Sequence, residues 1–199
     1  MNASDLITKA ENLIEEQYPN TVWRAWIEDV LRDLTPAAKL LTETEVAVTL
    51  TSGDVTIAVS GITNLYEIVS VSFKPTGGRV MQLRKLSPFD SVGRGWVRHD
   101  SEIRLQGLPY SSGTAIVKYY ESLVLTQAGT EYTYNMPEGY DEVLLRGVCA
   151  FAMQKEEEFD RKQDFFGEYM LGKRRMLMER TLAMEPWNAQ AIMSMGGEG

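Results

Sequence analysis

The chain has 199 residues, of which 44% are hydrophobic and 24% charged, and its formal net charge is −8. That length supports one well-buried core with an appended subdomain, and the composition excludes a disordered chain. No apolar run reaches the roughly 18 residues of a membrane helix, and the acidic start MNASDLITKAENLIEE lacks the basic and apolar regions of a signal peptide. The expectation is a protein that crosses no membrane and stays in the cell that makes it.

The charge is unevenly spread. Residues 1–45 hold nine acids and four bases, residues 46–137 seven acids and eight bases, and residues 138–180 ten acids and eight bases. No block resembles the basic face that neutralises DNA phosphates. DNA passing nearby would meet net repulsion instead of capture.

In chain order, Ser4 is the expected cap of a first helix whose stripe is Leu6, Ile7, Ala10, Leu13 and Ile14. Tyr18-Pro19-Asn20 breaks it. A second helix starts near Thr21, buries Trp23 and Trp26 as core anchors, and ends or kinks at Thr35-Pro36. From Glu45 the period becomes two. EVAVTL and VTIAV, around Thr51-Ser52-Gly53-Asp54, read as a β-hairpin. LYEIVSVSF and VMQLRK, around Thr76-Gly77-Gly78, read as a second pair. Trp96-Val97-Arg98 and EIRLQG flank His99-Asp100-Ser101, and TAIVKYYESL is a further strand.

Ser122–Asn135 reads as an extended connection, and Pro137 as the first turn of the next helix. Val143, Leu144, Val148, Phe151 and Ala152 form that helix's stripe, with Cys149 as a small core residue. The acidic run Glu156–Glu158 marks a break. A second helix follows, and its apolar residues Phe165, Phe166, Tyr169, Met170, Met176 and Leu177 wrap further around the axis than a single buried side requires. These six are the expected face between subunits. Gly167 and Gly172 point to a kink or a close backbone approach in that helix.

The expected fold class is therefore α+β: an α-helical bundle with an inserted antiparallel β module and an extended C-terminal tail. Two N-terminal helices and a long C-terminal helical hairpin make up the bundle. The expected boundaries are 1–44 for the N-terminal helices, 45–121 for the β module, 122–185 for the linker and hairpin, and 186–199 for the tail.

Catalytic chemistry is poorly supplied. His99 is the single histidine and Cys149 the single cysteine, so no His-pair or thiolate metal site is expected. Gly93-Arg94-Gly95 is too short to cradle a phosphate. Glu156, Glu157, Glu158 and Asp160 raise the question of Mg²⁺, but successive helical residues diverge by about 100° and cannot converge on one ion. Lys173-Arg174-Arg175 spreads around its helix in the same way and suits ion pairs with acidic neighbours. No cofactor, no metal and no enzymatic activity are expected.

The order of parts carries a likeness. N-terminal helices, a β module, the Tyr-rich strand KYYESLVL, then Met136-Pro137-Glu138-Gly139-Tyr140 leading into paired helices, resemble the head–tail connector (adaptor) proteins of tailed bacteriophages over residues 1–185. The resemblance implies a structural virion protein of the neck, assembled in the host cytoplasm. It implies a dodecameric ring beneath the portal protein and above a stopper, neck or tail protein, with DNA passing through without sequence-specific binding. By position it also implies that the tail, with Trp187, Ile192, Met193 and Met195, reaches into the portal. The alternatives are a tail-completion or stopper protein, and a DNA-packaging or DNA-processing accessory protein that uses carboxylates with Mg²⁺.

Overall fold

The computed structural model describes residues 2–51, 53–87, 93–154 and 159–184. These fall into two compact units, one drawn from Met1–Lys39 with Leu123–Gly199 and the other from Leu40–Ser122. Among the described residues there are four α-helices and nine strands.

In the first unit, α1 (Ala3–Ile14) begins at Asn2, whose side-chain oxygen accepts from the Asp5 N–H at 2.8 Å. Asn2 thus takes the capping role expected of Ser4, because its carboxamide reaches one of the first-turn donors left without a helical partner. Helix α2 (Asn20–Ala38) runs through Pro36 without ending there. Pro36 lies in the last turn, where the lost backbone bond costs little. Thr35, beside it, donates its hydroxyl to Leu31 O at 3.0 Å and accepts from the Leu123 N–H at 3.0 Å. Trp23 and Trp26 are buried, edge-on to each other and to Tyr18 at 5.0–5.5 Å. The Trp23 indole N–H donates to Glu11 on α1.

The segment expected as a linker is instead a hairpin, β8 (Leu125–Ala128) with β9 (Glu131–Tyr134). Gly129 turns it with φ +65°, and Arg24 of α2 stacks 3.9 Å above the Tyr132 ring. Pro137 lies outside α3 (Asp141–Met153), which begins after Tyr140. Helix α4 (Phe159–Met184) is the last described element. Cys149 is fully buried on α3, and burial pushes its thiol pKa up to about 12, as fits a packing residue and not a nucleophile.

The second unit holds β1 (Leu40–Thr49), β2 (Val55–Ala58), β3 (Leu65–Pro75), β4 (Met81–Leu83), β5 (Gly95–His99), β6 (Glu102–Gln106) and β7 (Ser112–Glu121). One antiparallel sheet has the order β1-β7-β3-β4 and a second has β2-β6-β5. The pairs β3–β4 and β5–β6 form as expected. The hairpin between Glu45 and Val59 does not. Thr51 and Asp54 exchange backbone bonds across a tight turn, but β1 then pairs with β7 and β2 with β6. Asp54 holds that corner on the β6 side, accepting from Arg104 at 2.8 Å and from the Gly107 N–H at 3.0 Å. Those two bonds keep its carboxyl below the usual range. The two sheets share a core that includes Val71, Phe73 and Val117 from one and Ile57, Trp96, Ile103 and Leu105 from the other.

The fold class is accordingly corrected. This is a mixed α and β protein with extensive antiparallel sheet, not a helical bundle carrying an inserted β module. Seven strands close around a core of their own, and two more pack within the helical unit. Helix-weighted reading missed this because strands bury their apolar residues by pairing at a distance, which alternation alone does not display.

Helix packing in the first unit depends on close approach. A Cβ on Gly147 of α3 would sit 2.6 Å from Val30 and 2.8 Å from the Tyr169 ring, whereas one on Gly167 of α4 would meet nothing within 4 Å. Gly147→Ala is therefore expected to destabilise the protein by about 1–2 kcal/mol despite better helix propensity. Gly167→Ala is expected to stabilise it by up to about 1 kcal/mol. Urea unfolding of both variants checks the contrast.

Candidate functional site: the outer face of the last helix

Helix α4 meets its own unit along one narrow stripe. Tyr169 and Met176 are 1% and 0% exposed, and Phe165 packs beside the core. A Cβ on Gly172 would lie 2.7 Å from Val143 of α3, so α3 and α4 approach closely there, as one of the two expectations for these glycines held. Gly167 makes no such approach.

Polar contacts fix the rotation of α4. Tyr169 donates its hydroxyl to Asp33 on α2 at 2.5 Å, and Lys173 donates to the other oxygen of the same carboxylate at 2.7 Å. Arg180 donates to Ala38 O at 3.0 Å, supplying a partner to a carbonyl at the α2 C-terminus, and Lys39 donates to Thr181 at 3.1 Å. On the α3 side, Arg146 pairs with Glu142 at 2.8 Å and Glu168 at 3.0 Å, Arg175 with Glu179 at 2.7 Å, and Tyr140 donates to Glu179. Lys173 and Arg175 are thus committed to ion pairs within the chain. Arg174 has no such partner among the described residues.

The rest of the helix faces outward. Phe166, Met170, Leu171, Leu177, Met178 and Leu182 are all exposed, Leu171 to 71% and Leu182 to 65%. At 3.6 residues per turn they fall within an arc of roughly 160°, opposite the Tyr169–Met176 stripe. Pro36 and Ala37 of α2 meet Met170, Leu171 and Leu177 of α4 in a groove of about 660 Å³. Gly167 keeps the groove open, and Arg174 lines it.

Of the six residues expected between subunits, Phe166, Met170 and Leu177 lie on this outer face and Phe165 is partly buried against the core. Tyr169 and Met176 lie in the chain's own core, and Leu171, Met178 and Leu182 are further exposed apolar residues of the outer face. The 100° rotation between successive residues would have separated the two stripes, had the core side been known. Trp187, Ile192, Met193 and Met195 lie outside the described residues, as do Glu156, Glu157 and Glu158.

Among the described residues no group of three or more His, Cys, Asp or Glu could hold a metal, and no helix is long and apolar enough to cross a membrane. His99 is exposed at the end of β5. The last helix thus leaves a wide apolar face uncovered by its own unit. The chain belongs to the SU10 adaptor protein family, whose model matches residues 1–192. A comparison with curated proteins gives no match. Membership makes this protein a structural adaptor of a phage particle, and the likeness read from the sequence stands at that level.

Asp33 supports a pH prediction. Burial raises its pKa, but the hydrogen bonds from Lys173 and Tyr169 and the Lys173 charge outweigh this and bring it below the ordinary value. A depressed carboxyl pKa contributes stability above the unfolded-state value of about 4, and that stability is lost as pH falls through the folded-state value. Asp33→Asn is therefore expected to flatten the acid side of the stability profile. Tyr169→Phe is expected to cost about 1–2 kcal/mol at neutral pH. Thermal unfolding between pH 3 and pH 7 checks both.

Proposed function

We propose that this adaptor forms a ring, dodecameric in the assembled particle, which sits under the portal protein, extends the DNA channel and joins the capsid to a neck or tail protein. The outer face of α4 carries this reading: it is too apolar to serve a lone subunit. In the proposed ring it packs against the next copy, and the segment with Trp187, Ile192, Met193 and Met195 engages the portal.

Magnitudes favour assembly on a template. Burying six half-exposed side chains gains about 1 kcal/mol each, or roughly 6 kcal/mol. Losing translational and rotational freedom costs about 4–15 kcal/mol. One contact between two copies is then weak, whereas a portal that holds several copies together makes later contacts effectively intramolecular. The acidic balance suits a channel through which DNA slides without adhering.

Sedimentation with and without portal tests the proposal. The expected result is a monomer or weak oligomer alone and a large complex once portal is added. A stable ring without portal would overturn the template step. Leu171→Glu combined with Met178→Glu is expected to leave unfolding within about 0.5 kcal/mol of the parent, since both side chains are exposed, while preventing ring formation.

A further inference from the structure

A cyclic ring of more than two copies is held by two different surfaces of each subunit, a face and a counterface. Packing α4 on α4 would close as a dimer and leave no surface for a third copy, so the outer face of α4 needs its counterface elsewhere on the chain. We infer that this counterface is the bulged segment of β3, residues 66–69, which enters the groove between the end of α2 and α4 of the neighbouring copy, with Glu67 meeting Arg174. This contact rests on the ring reading above and adds to it the surface that the groove receives.

Strand β3 departs from regular pairing in this segment. Its register against β7 shifts between Leu65 and Glu67 and again between Ile68 and Ser70, so Tyr66 and Val69 are each an extra residue with no partner on β7. Bulges re-aim side chains, and both bulged residues are apolar and exposed, Tyr66 to 42% and Val69 to 45%. Glu67 between them is exposed as well. Strand β4 pairs only with residues 71–73, so the segment has β7 on one side and no described strand on the other. A bulged edge is a poor template for an added strand, and what it offers a partner is its side chains.

The groove is complementary in chemistry and in charge. Met170, Leu171 and Leu177 wall it, and Gly167 leaves room for an inserted ring. Tyrosine suits that place, since its ring is apolar and its hydroxyl can still find a hydrogen-bond partner at the rim. Arg174 lines the groove without an ion-pair partner among the described residues, and Glu67 likewise has none. The other exposed apolar residues of the strand unit fit less well. Val80 follows Arg79, which carries the same charge as Arg174. Tyr110 already rests against the Phe73 ring, 5.8 Å between centroids. Beside Leu41, Glu43 is already held by Lys118 at 3.1 Å.

Cross-linking between two cysteine variants of the full chain tests this. One carries Met178→Cys, beside the groove, and the other Val69→Cys, which keeps Tyr66 and Glu67. Both positions are exposed, whereas the native Cys149 is fully buried with its thiol pKa raised, so it stays unreactive toward a short bismaleimide. At millimolar protein even a contact with a millimolar Kd is substantially occupied, and the mixed dimer is expected at about tenfold the yield of either homodimer. Arg174→Glu in the first chain, or Glu67→Arg in the second, should lower the mixed dimer about fivefold, and the two together should restore it, as only a direct pair requires. Tyr66→Ala in the second chain should lower it about tenfold. All these positions are exposed, and unfolding curves verify that each variant keeps its fold. A statistical mixture of dimers would overturn the proposal, and so would a predominance of Met178→Cys homodimers or a charge exchange that restores nothing. The ring reading fails separately, if the unsubstituted chain and portal sediment without forming a ring.

Discussion

The carboxylate of Asp33, shared between Tyr169 and Lys173, sets the rotation of α4, and which apolar side chains of that helix stay exposed follows from that rotation. A helix turned by one residue swings its faces by about 100°. With Tyr169 held on Asp33, Met176 must point inward and Leu171, Met178 and Leu182 must point outward. The glycines make the same choice by sterics. Gly147 admits the Tyr169 ring and Gly172 admits Val143, so α3 and α4 lie close along this side.

Each unit completes its own burial before any partner is considered. The strand unit closes two sheets on one core, and the helical unit buries Trp23, Trp26 and Tyr169 with hydrogen-bond partners for the Trp23 and Tyr169 polar atoms. No buried side-chain nitrogen or oxygen among the described residues lacks a partner. The surplus apolar surface on α4 is therefore not a failure of folding. It is surface for which the described fold has no internal use.

Much of the fold was legible because local signals state local structure. Helical spacing located α1, α2 and both later helices, and alternation located β3 through β7. The errors share one cause. The turn at Thr51–Asp54 was real, but alternation in EVAVTL and VTIAV cannot say that the two strands leave it for different sheets. LTQAGTEYTY carries period-two alternation around Ala-Gly-Thr, a hairpin signal masked by its small size and by the expectation of a linker. Thr35-Pro36 was expected to end or kink α2, and the helix runs through Pro36 to Ala38 because the proline falls in its last turn.

By itself the sequence determined that this chain folds, that its last helix carries more apolar surface than one side needs, and that its parts run in the order of a phage adaptor. Those are properties of composition and period, which survive without knowing any partner. Only the tertiary structure decided which apolar residues of α4 are core and which are surface, because Phe166 and Tyr169 are chemically alike and differ only in what lies opposite them. Asp33 is 136 residues from Tyr169 along the chain, and no periodicity connects positions so far apart. The division between the apolar residues of α4 that hold its unit together and those left exposed is made there.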